Sequence, residues 1–136
     1  MQTMIERRTN LRNDRGQTMV EFALVLPVLC LVIFGIIQCG LLYNHYITLT
    51  DATRVGARKA AVSRQLANPG ALATAATINA ASGLSVPPLD VQVSAPAGWV
   101  AGADVTVQAT YPYDLNILGI VVASGKLNSK TTERLE

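Results

Sequence analysis

The sequence predicts an α+β protein with one long N-terminal helix, first transmembrane and then amphipathic, followed by a short helix and a small antiparallel β-sheet. Three observations lead to this prediction. Residues 22–43 are apolar and carry no formal charge, small residues then recur at helical spacing, and the hydrophobic period changes to two after Pro87 and Pro88. A chain of 136 residues has room for one small domain besides such a span.

The apolar run is long enough to cross a membrane. As a helix, residues 22–43 would extend roughly 33 Å, which covers the hydrocarbon core of a bilayer. Gln38 alone interrupts the run, and Tyr43 and Tyr46 follow it as interfacial aromatics. We therefore predict a transmembrane helix over residues 17–47, with a buried helix of a soluble domain as the weaker alternative.

A basic leader, residues 1–16, precedes the span. It contains four arginines and two acidic residues, in a chain with 11 basic and 9 acidic residues. Removal of the leader would leave a chain with no net formal charge. A neutral product has no broad electrostatic basis for nucleic-acid binding, so no nucleic-acid partner is expected.

The junction between leader and span contains an unexpected acid. Glu21 lies at the edge of the apolar run, where a carboxylate is costly unless it has a partner. Cleavage after Gly16 would create an amino group on Gln17, four residues and about one helical turn from Glu21. That amine could pair with Glu21 of its own chain or of a neighbouring copy. In the uncleaved alternative, Glu21 lies among lipid headgroups.

Residues 16–27 carry a family resemblance. Their sequence, GQTMVEFALVLP, resembles the class III, or type IVb-like, prepilin junction of the TadE family of tight-adherence pilus proteins. The similarity continues through Gly35, Gly40 and the small-residue and arginine segment 52–58. The whole plan resembles a reduced pilin, in which a helical stalk carries a small α+β head.

The resemblance implies a pseudopilin or minor pilin needed for assembly of Flp pili. A prepilin peptidase would cleave after Gly16, with methylation of Gln17, and Glu21, Phe22 and Pro27 would serve leader recognition and assembly. The implied partners are that peptidase, other pilins and pseudopilins, the pilus assembly platform and membrane lipid. The alternative is an uncleaved single-pass anchor whose extracytoplasmic domain binds a partner.

The resemblance also implies a location in the cytoplasmic (inner) membrane, with the N-terminus cytoplasmic, the head outside, and incorporation into a pilus as a further option. The positive charges favour the same orientation, because Arg12 and Arg15 lie nearer the hydrocarbon edge than Arg54 does. Pro27 removes a backbone donor and predicts a kink that neighbouring helices can accommodate.

Residues 48–67 predict an amphipathic extension of the helix. Its small-residue face comprises Leu49, Ala52, Gly56, Ala60, Ser63 and Ala67. Arg54 and Arg58 fall on the opposite side. The Asn-Pro-Gly sequence at residues 68–70 is then expected to stop the helix.

Residues 68–136 are predicted to form the head. Residues 71–81 are predicted to form a short alanine-rich helix. Apolar and polar residues alternate over residues 89–95 and 104–111, which predicts two antiparallel strands. Residues 127–135 are expected to add a third strand, whereas the apolar residues 115–123 are too short to cross a membrane again. The most prominent aromatic residues of the head are Trp99, Tyr111 and Tyr113. We expect them mainly to pack in the core or to anchor loops.

Candidate catalytic groups are scarce. His45 is the only histidine, and it is interpreted as structural because no complementary ligand set accompanies it. Cys30 and Cys39 would lie roughly 13 Å apart along a helix, too far for an intrachain disulfide, and are interpreted as packing residues. The sequence therefore predicts no enzymatic activity, no cofactor and no metal site.

Overall fold

The computed structural model describes residues 10–84, 89–117 and 119–136, so the leader's residues 1–9 lie outside the described part. It confirms the α+β class. The elements in chain order are α1 (Asn10–Val62), α2 (Pro69–Ala80), β1 (Asp90–Ser94), β2 (Asp104–Ile117) and β3 (Ile120–Arg134). The chain divides into two compact units, Met1–Ile37 and Gln38–Glu136.

The described part of the first unit is helical throughout and exposes its apolar side chains. The candidate span, Gly16–Val62, has a mean hydropathy of 2.8 in its most apolar window, and no residue of that window is buried. A core helix of a soluble protein would bury such a window, whereas a membrane helix faces lipid. The long apolar N-terminal helix therefore fits a single-pass membrane protein. Pro27 lies inside this helix, as predicted.

The second unit begins with the rest of α1, whose small-residue face is buried. Leu49, Ala52 and Ala60 are fully covered, and the face is wider than predicted because Thr53 and Ala57 are buried too. The prediction was wrong at its C-terminal end. The helix ends at Val62, and Ala67 is exposed rather than on the buried face.

The early end of α1 has a local cause. The Ser63 amide donates to the Ala60 carbonyl at 3.3 Å, a tightened turn, and the Ser63 hydroxyl donates to the Lys59 carbonyl. The Leu66 amide then donates to the Ser63 carbonyl at 2.9 Å, which closes a turn and ends the helix. Ser63 thus remains buried while the chain after it leaves the helical path.

Helix α2 begins earlier than the predicted residue 71. Asn68 caps it, since its side-chain oxygen accepts from the Ala71 amide at 3.4 Å, and Pro69 occupies the first turn, where a missing amide costs nothing. The Asn-Pro-Gly sequence therefore starts α2 as well as following α1. The buried residues of α2 are Ala73 and Thr77.

The sheet has three antiparallel strands in the order β1-β2-β3. β1 pairs with β2 from Asp90↔Thr110 to Ser94↔Thr106, whereas β2 and β3 pair along their whole length. Both of these strands are longer than predicted. Residues 115–117 and 119–123 belong to the closed end of their hairpin, where Gly119 has a φ of +86°, a conformation that glycine adopts without steric cost.

The extension of β2 passes through Pro112. A proline cannot donate to a neighbouring strand, so it is tolerated where one edge of its strand is unpaired. β1 pairs no farther along β2 than Thr110, so no strand described in the structure pairs with that edge beyond it. The alternation of apolar and polar residues, from which the strand was predicted, stops near Pro112. The sequence pattern therefore underestimated the length of β2.

Two apolar clusters join α1 to the sheet. The first contains Ala60, Ala73, Val105 and Leu135, with Trp99 packed against it. The second is built on Leu49, Ala109 and Tyr111, with partly buried neighbours that include Leu127. Trp99 and Tyr111 therefore have the packing roles expected of them.

A buried hydroxyl group also holds α1 against β3. Thr53 Oγ1 lies 2.8 Å from the Thr50 carbonyl oxygen, 3.1 Å from Ser129 Oγ and 3.0 Å from Thr131 Oγ1. At the other end of this contact, the Glu136 amide donates to the Ala61 carbonyl at 3.4 Å. The sheet thus follows α1 over several turns through polar as well as apolar contacts.

Candidate functional site

The leader–span junction is a regular helix in this structure. Gly16 is exposed, and a Cβ added to it would meet no atom within 4 Å, so no tertiary contact requires a glycine there. Glycine in a helix interior is less stable than alanine by about 1 kcal/mol. Gly16 therefore makes α1 less stable at this position than an alanine would.

Gln17 and Glu21 are brought together by the helix. The Gln17 Nε2 atom donates a hydrogen bond to Glu21 Oε1 at 3.2 Å, across the four-residue spacing that places two side chains on one helix face. Both side chains are exposed. The spacing that would bring a new Gln17 amino group close to Glu21 thus also pairs the Gln17 side-chain amide with the carboxylate, a contact not predicted from the sequence.

Phe22 and Pro27 lie farther along the same helix. Phe22 is 62% exposed, as a lipid-facing side chain in a membrane helix would be. Pro27 removes the hydrogen bond that the Ala23 carbonyl would otherwise accept, which weakens the helix one to two turns after Glu21. The structure therefore places all five predicted residues on one helix but joins only Gln17 and Glu21 by a side-chain contact that it describes.

The cysteines and acids of the described residues form no evident reactive site. Cys30 and Cys39 are both free thiols. Among residues 10–84, 89–117 and 119–136, no three histidine, cysteine or acidic side chains are grouped so as to hold a metal ion. The absence of enzymatic activity stays a prediction.

A groove in the second unit was not identified from the sequence. It has a volume of about 290 Å³, and its lining includes Gln38, His45, Tyr111 and Tyr113. The rings of His45 and Tyr111 meet edge to face with centroids 5.7 Å apart, so the histidine packs against β2, and its structural role stays a prediction. The Gln38 Nε2 atom donates to the Asn116 carbonyl at 2.6 Å. Gln38 is the polar interruption of the apolar run, and that anomaly was the available sequence signal.

An apolar helix of membrane-spanning length, followed by a three-stranded α+β head, fits the class of single-pass membrane proteins with a small folded head. A family model described as TadE-like protein matches residues 16–58. The chain therefore carries a TadE-like segment, which confirms the resemblance over these residues.

The matched segment lies entirely within α1 and begins at Gly16. It includes the junction, the apolar run and the buried stretch around Ala52 and Gly56. Comparisons with curated proteins and with solved structures gave no match.

Proposed function

We propose that this protein is a pseudopilin or minor pilin required for assembly of Flp (tight-adherence, type IVb) pili, and that a prepilin peptidase cleaves it after Gly16. The observation that carries the proposal is the placement of Glu21. It lies at the start of the apolar helix on the same face as Gln17, the residue that would become the N-terminus.

Cleavage would change the electrostatic position of Glu21. In the uncleaved chain, α1 extends upstream as far as Asn10, so Glu21 lies well inside the helix. After cleavage, the helix would begin at Gln17, and Glu21 would lie close to the positive end of the helix dipole and one turn from a new ammonium group. Both the helix dipole and the ammonium group would attract the Glu21 carboxylate at the edge of the apolar segment.

A second copy of the protein could also supply an ammonium group as the partner of Glu21. The ammonium group of one helix and Glu21 of its neighbour would attract each other strongly at the membrane edge, where the dielectric constant is lower than in water. Pairing between copies would fix the stagger of adjacent helices. The exposed apolar surface of α1 supports this packing, since it leaves the helix free to contact lipid or neighbouring helices.

The proposed partners follow from this role. They are the prepilin peptidase, other pilins and pseudopilins, and the assembly platform, with lipid around the span. We place the protein in the cytoplasmic membrane with its N-terminus inside and its head outside, because Arg12 and Arg15 precede the span closely. The head has its own apolar core, which gives the subunit a folded part beyond the membrane.

The processing step can be tested by intact mass spectrometry of the protein from its native membrane. The expected mass is that of residues 17–136, with any methyl group on Gln17 resolved as an increment. Gly16→Leu should block cleavage, whereas Gly40→Ala, which also changes an exposed glycine of α1, should leave it unchanged. An intact leader in cells that assemble functional pili would refute the processing proposal and favour the uncleaved anchor.

The role of Glu21 is tested separately by Glu21→Gln. This substitution retains the size of the side chain but removes its charge, so we expect normal processing and a loss of pilus assembly. Asp51→Asn is the matched control, because Asp51 is an exposed acid beyond the apolar run. Normal assembly with Glu21→Gln would rule out the proposed charge pairing.

A further inference from the structure

The β2–β3 hairpin extends beyond the rest of the sheet. β1 accompanies β2 only between Thr106 and Thr110, after which β2 and β3 continue alone to Ile117 and Ile120. We name residues 115–117 and 119–123 the hairpin tip. The tip is about 40 Å along the strands from the start of β2, at the usual rise of a β-strand.

The hairpin tip is uncharged and apolar. No charged residue occurs between Asp114 and Lys126. Ile120, Val121 and Val122 are 70%, 55% and 63% exposed, respectively. Three consecutive large apolar residues at such exposure form a surface that water solvates poorly.

Both faces of the tip expose apolar side chains, although Leu115 and Ile117 are partly buried. Ile120 pairs with Ile117 and Val121 pairs with Asn116, and neighbouring residues in a strand project to opposite faces. The exposure of Ile120 and Val121 therefore leaves apolar surface on both sides of the hairpin. A protein packed against one face would cover only half of this surface, whereas a medium that surrounds the tip would cover all of it.

The tip lies beside the last part of the apolar run. The hydrogen bond from Gln38 to the Asn116 carbonyl shows which turn of α1 lies beside the tip. Leu41, one turn farther along α1, also lines the groove and is 50% exposed. Gln38 precedes Tyr43, the end of the run, by roughly 7.5 Å of helix axis. The tip is thus continuous with apolar helix surface that would be in contact with lipid.

We propose that the hairpin tip inserts into the interfacial region of the bilayer leaflet at which α1 leaves the membrane. Lipid is the occupant that fits, because the surface is two-sided, uncharged and level with the apolar run. Insertion is shallow, since β3 is an edge strand whose outward backbone groups need water or headgroups as hydrogen-bond partners. This insertion places the edge of the hydrocarbon near Gln38, with Tyr43 in the interfacial region. The protein then contacts the membrane at two places, which restricts the orientation of the head.

This inference does not depend on cleavage after Gly16, and its test uses the full chain. Cys30→Ala and Cys39→Ala remove the native thiols, and Val121→Cys then carries a fluorophore sensitive to its environment. The protein is reconstituted into vesicles of phosphatidylethanolamine and phosphatidylglycerol that contain lipids spin-labelled near the headgroup. Val100→Cys is the matched control, a valine 62% exposed in the loop between β1 and β2, close in sequence to the start of β2.

The expected result is lipid quenching about threefold stronger at position 121 than at position 100, with the opposite order for aqueous iodide. Ile120→Cys reports the other face and should behave like Val121→Cys. Access of iodide to position 121 without lipid quenching would overturn the proposal. Protection from both quenchers would show cover by protein, such as a second copy, and would also overturn it, as would lipid contact at only one of the two positions.

Discussion

Replacement of Gly56 by alanine tests how closely α1 and α2 approach. A Cβ at Gly56 would overlap the Thr77 hydroxyl and would lie 3.2 Å from both the Thr77 Cβ and the Ala73 carbonyl oxygen. Thr77 is fully buried, and its hydroxyl donates to the same Ala73 carbonyl at 2.8 Å. The hydroxyl cannot rotate away without losing that hydrogen bond, and the carbonyl belongs to the helix backbone.

Two opposing effects determine how much Gly56→Ala changes the free energy of unfolding. Alanine is better than glycine in a helix interior by about 1 kcal/mol. Overpacking of a close contact costs about 1–3 kcal/mol, and the loss of the Thr77 hydrogen bond adds to that cost. We expect the steric effect to prevail, with a net loss of about 1–2 kcal/mol in the free energy of unfolding. For a head of this size, that loss corresponds to a fall in Tm of about 4–16 °C.

Thermal unfolding of the full chain in detergent micelles measures this change. Trp99 is the only tryptophan and packs against the cluster that contains Ala60 and Ala73, so its fluorescence reports on the affected region. Gly40→Ala is the matched control, because a Cβ at Gly40 would meet no atom within 4 Å. The control should leave the Tm of the head unchanged.

The double variant Gly56→Ala/Thr77→Ala separates steric overlap from other causes. Thr77→Ala removes the hydroxyl that the new methyl group would meet, so the two substitutions should couple favourably by about 1 kcal/mol. Equal Tm values for Gly56→Ala and Gly40→Ala, or additive losses in the double variant, would refute the reasoning. The close approach of the two helices would then contribute little to stability.

Three further substitutions test other contacts of the head by the same unfolding measurement. Thr53→Val should cost about 1–3 kcal/mol, because it leaves the hydroxyl groups of Ser129 and Thr131 without this buried partner. Asn68→Ala should cost about 1 kcal/mol, because it removes the N-cap of α2. Gly119→Ala should cost about 1–2 kcal/mol, because alanine is strained at a φ of +86°.

Each of these substitutions has a control in the chain. Thr50→Val changes a hydroxyl that bonds only its own helix in the described contacts and should cost less than Thr53→Val. Asn68→Asp preserves the cap acceptor and should be nearly neutral. Gly16→Ala changes an exposed helical glycine and should not lower the Tm of the head. Losses in the controls equal to those in the test variants would contradict the assigned causes.

The junction and the helices were largely predictable because their signals are local. The spacing of Gln17 and Glu21 indicates a shared helix face, and the structure joins their side chains. The small-residue face was correct from Leu49 to Ser63 but failed at Ala67. Periodicity alone could not show that the turn at Ser63 ends α1 first.

The sheet was predicted less completely because its extent depends on pairing. The alternation of apolar and polar residues located β1 and the first part of β2, but it weakened beyond Tyr111. β2 and β3 continue there because each supplies the other's backbone partners along the hairpin. Pro112 is compatible with this extension only because β1 does not accompany it.

The sequence by itself determined the membrane-length helix, the acid at its edge and the TadE-like segment, since all three depend on the spacing of residues near one another in the chain. The tertiary structure decided which surfaces meet. It placed Thr77 against Gly56 and the Asn116 carbonyl against Gln38, contacts between residues distant in the sequence. Such contacts depend on the register of whole elements, which no local pattern specifies.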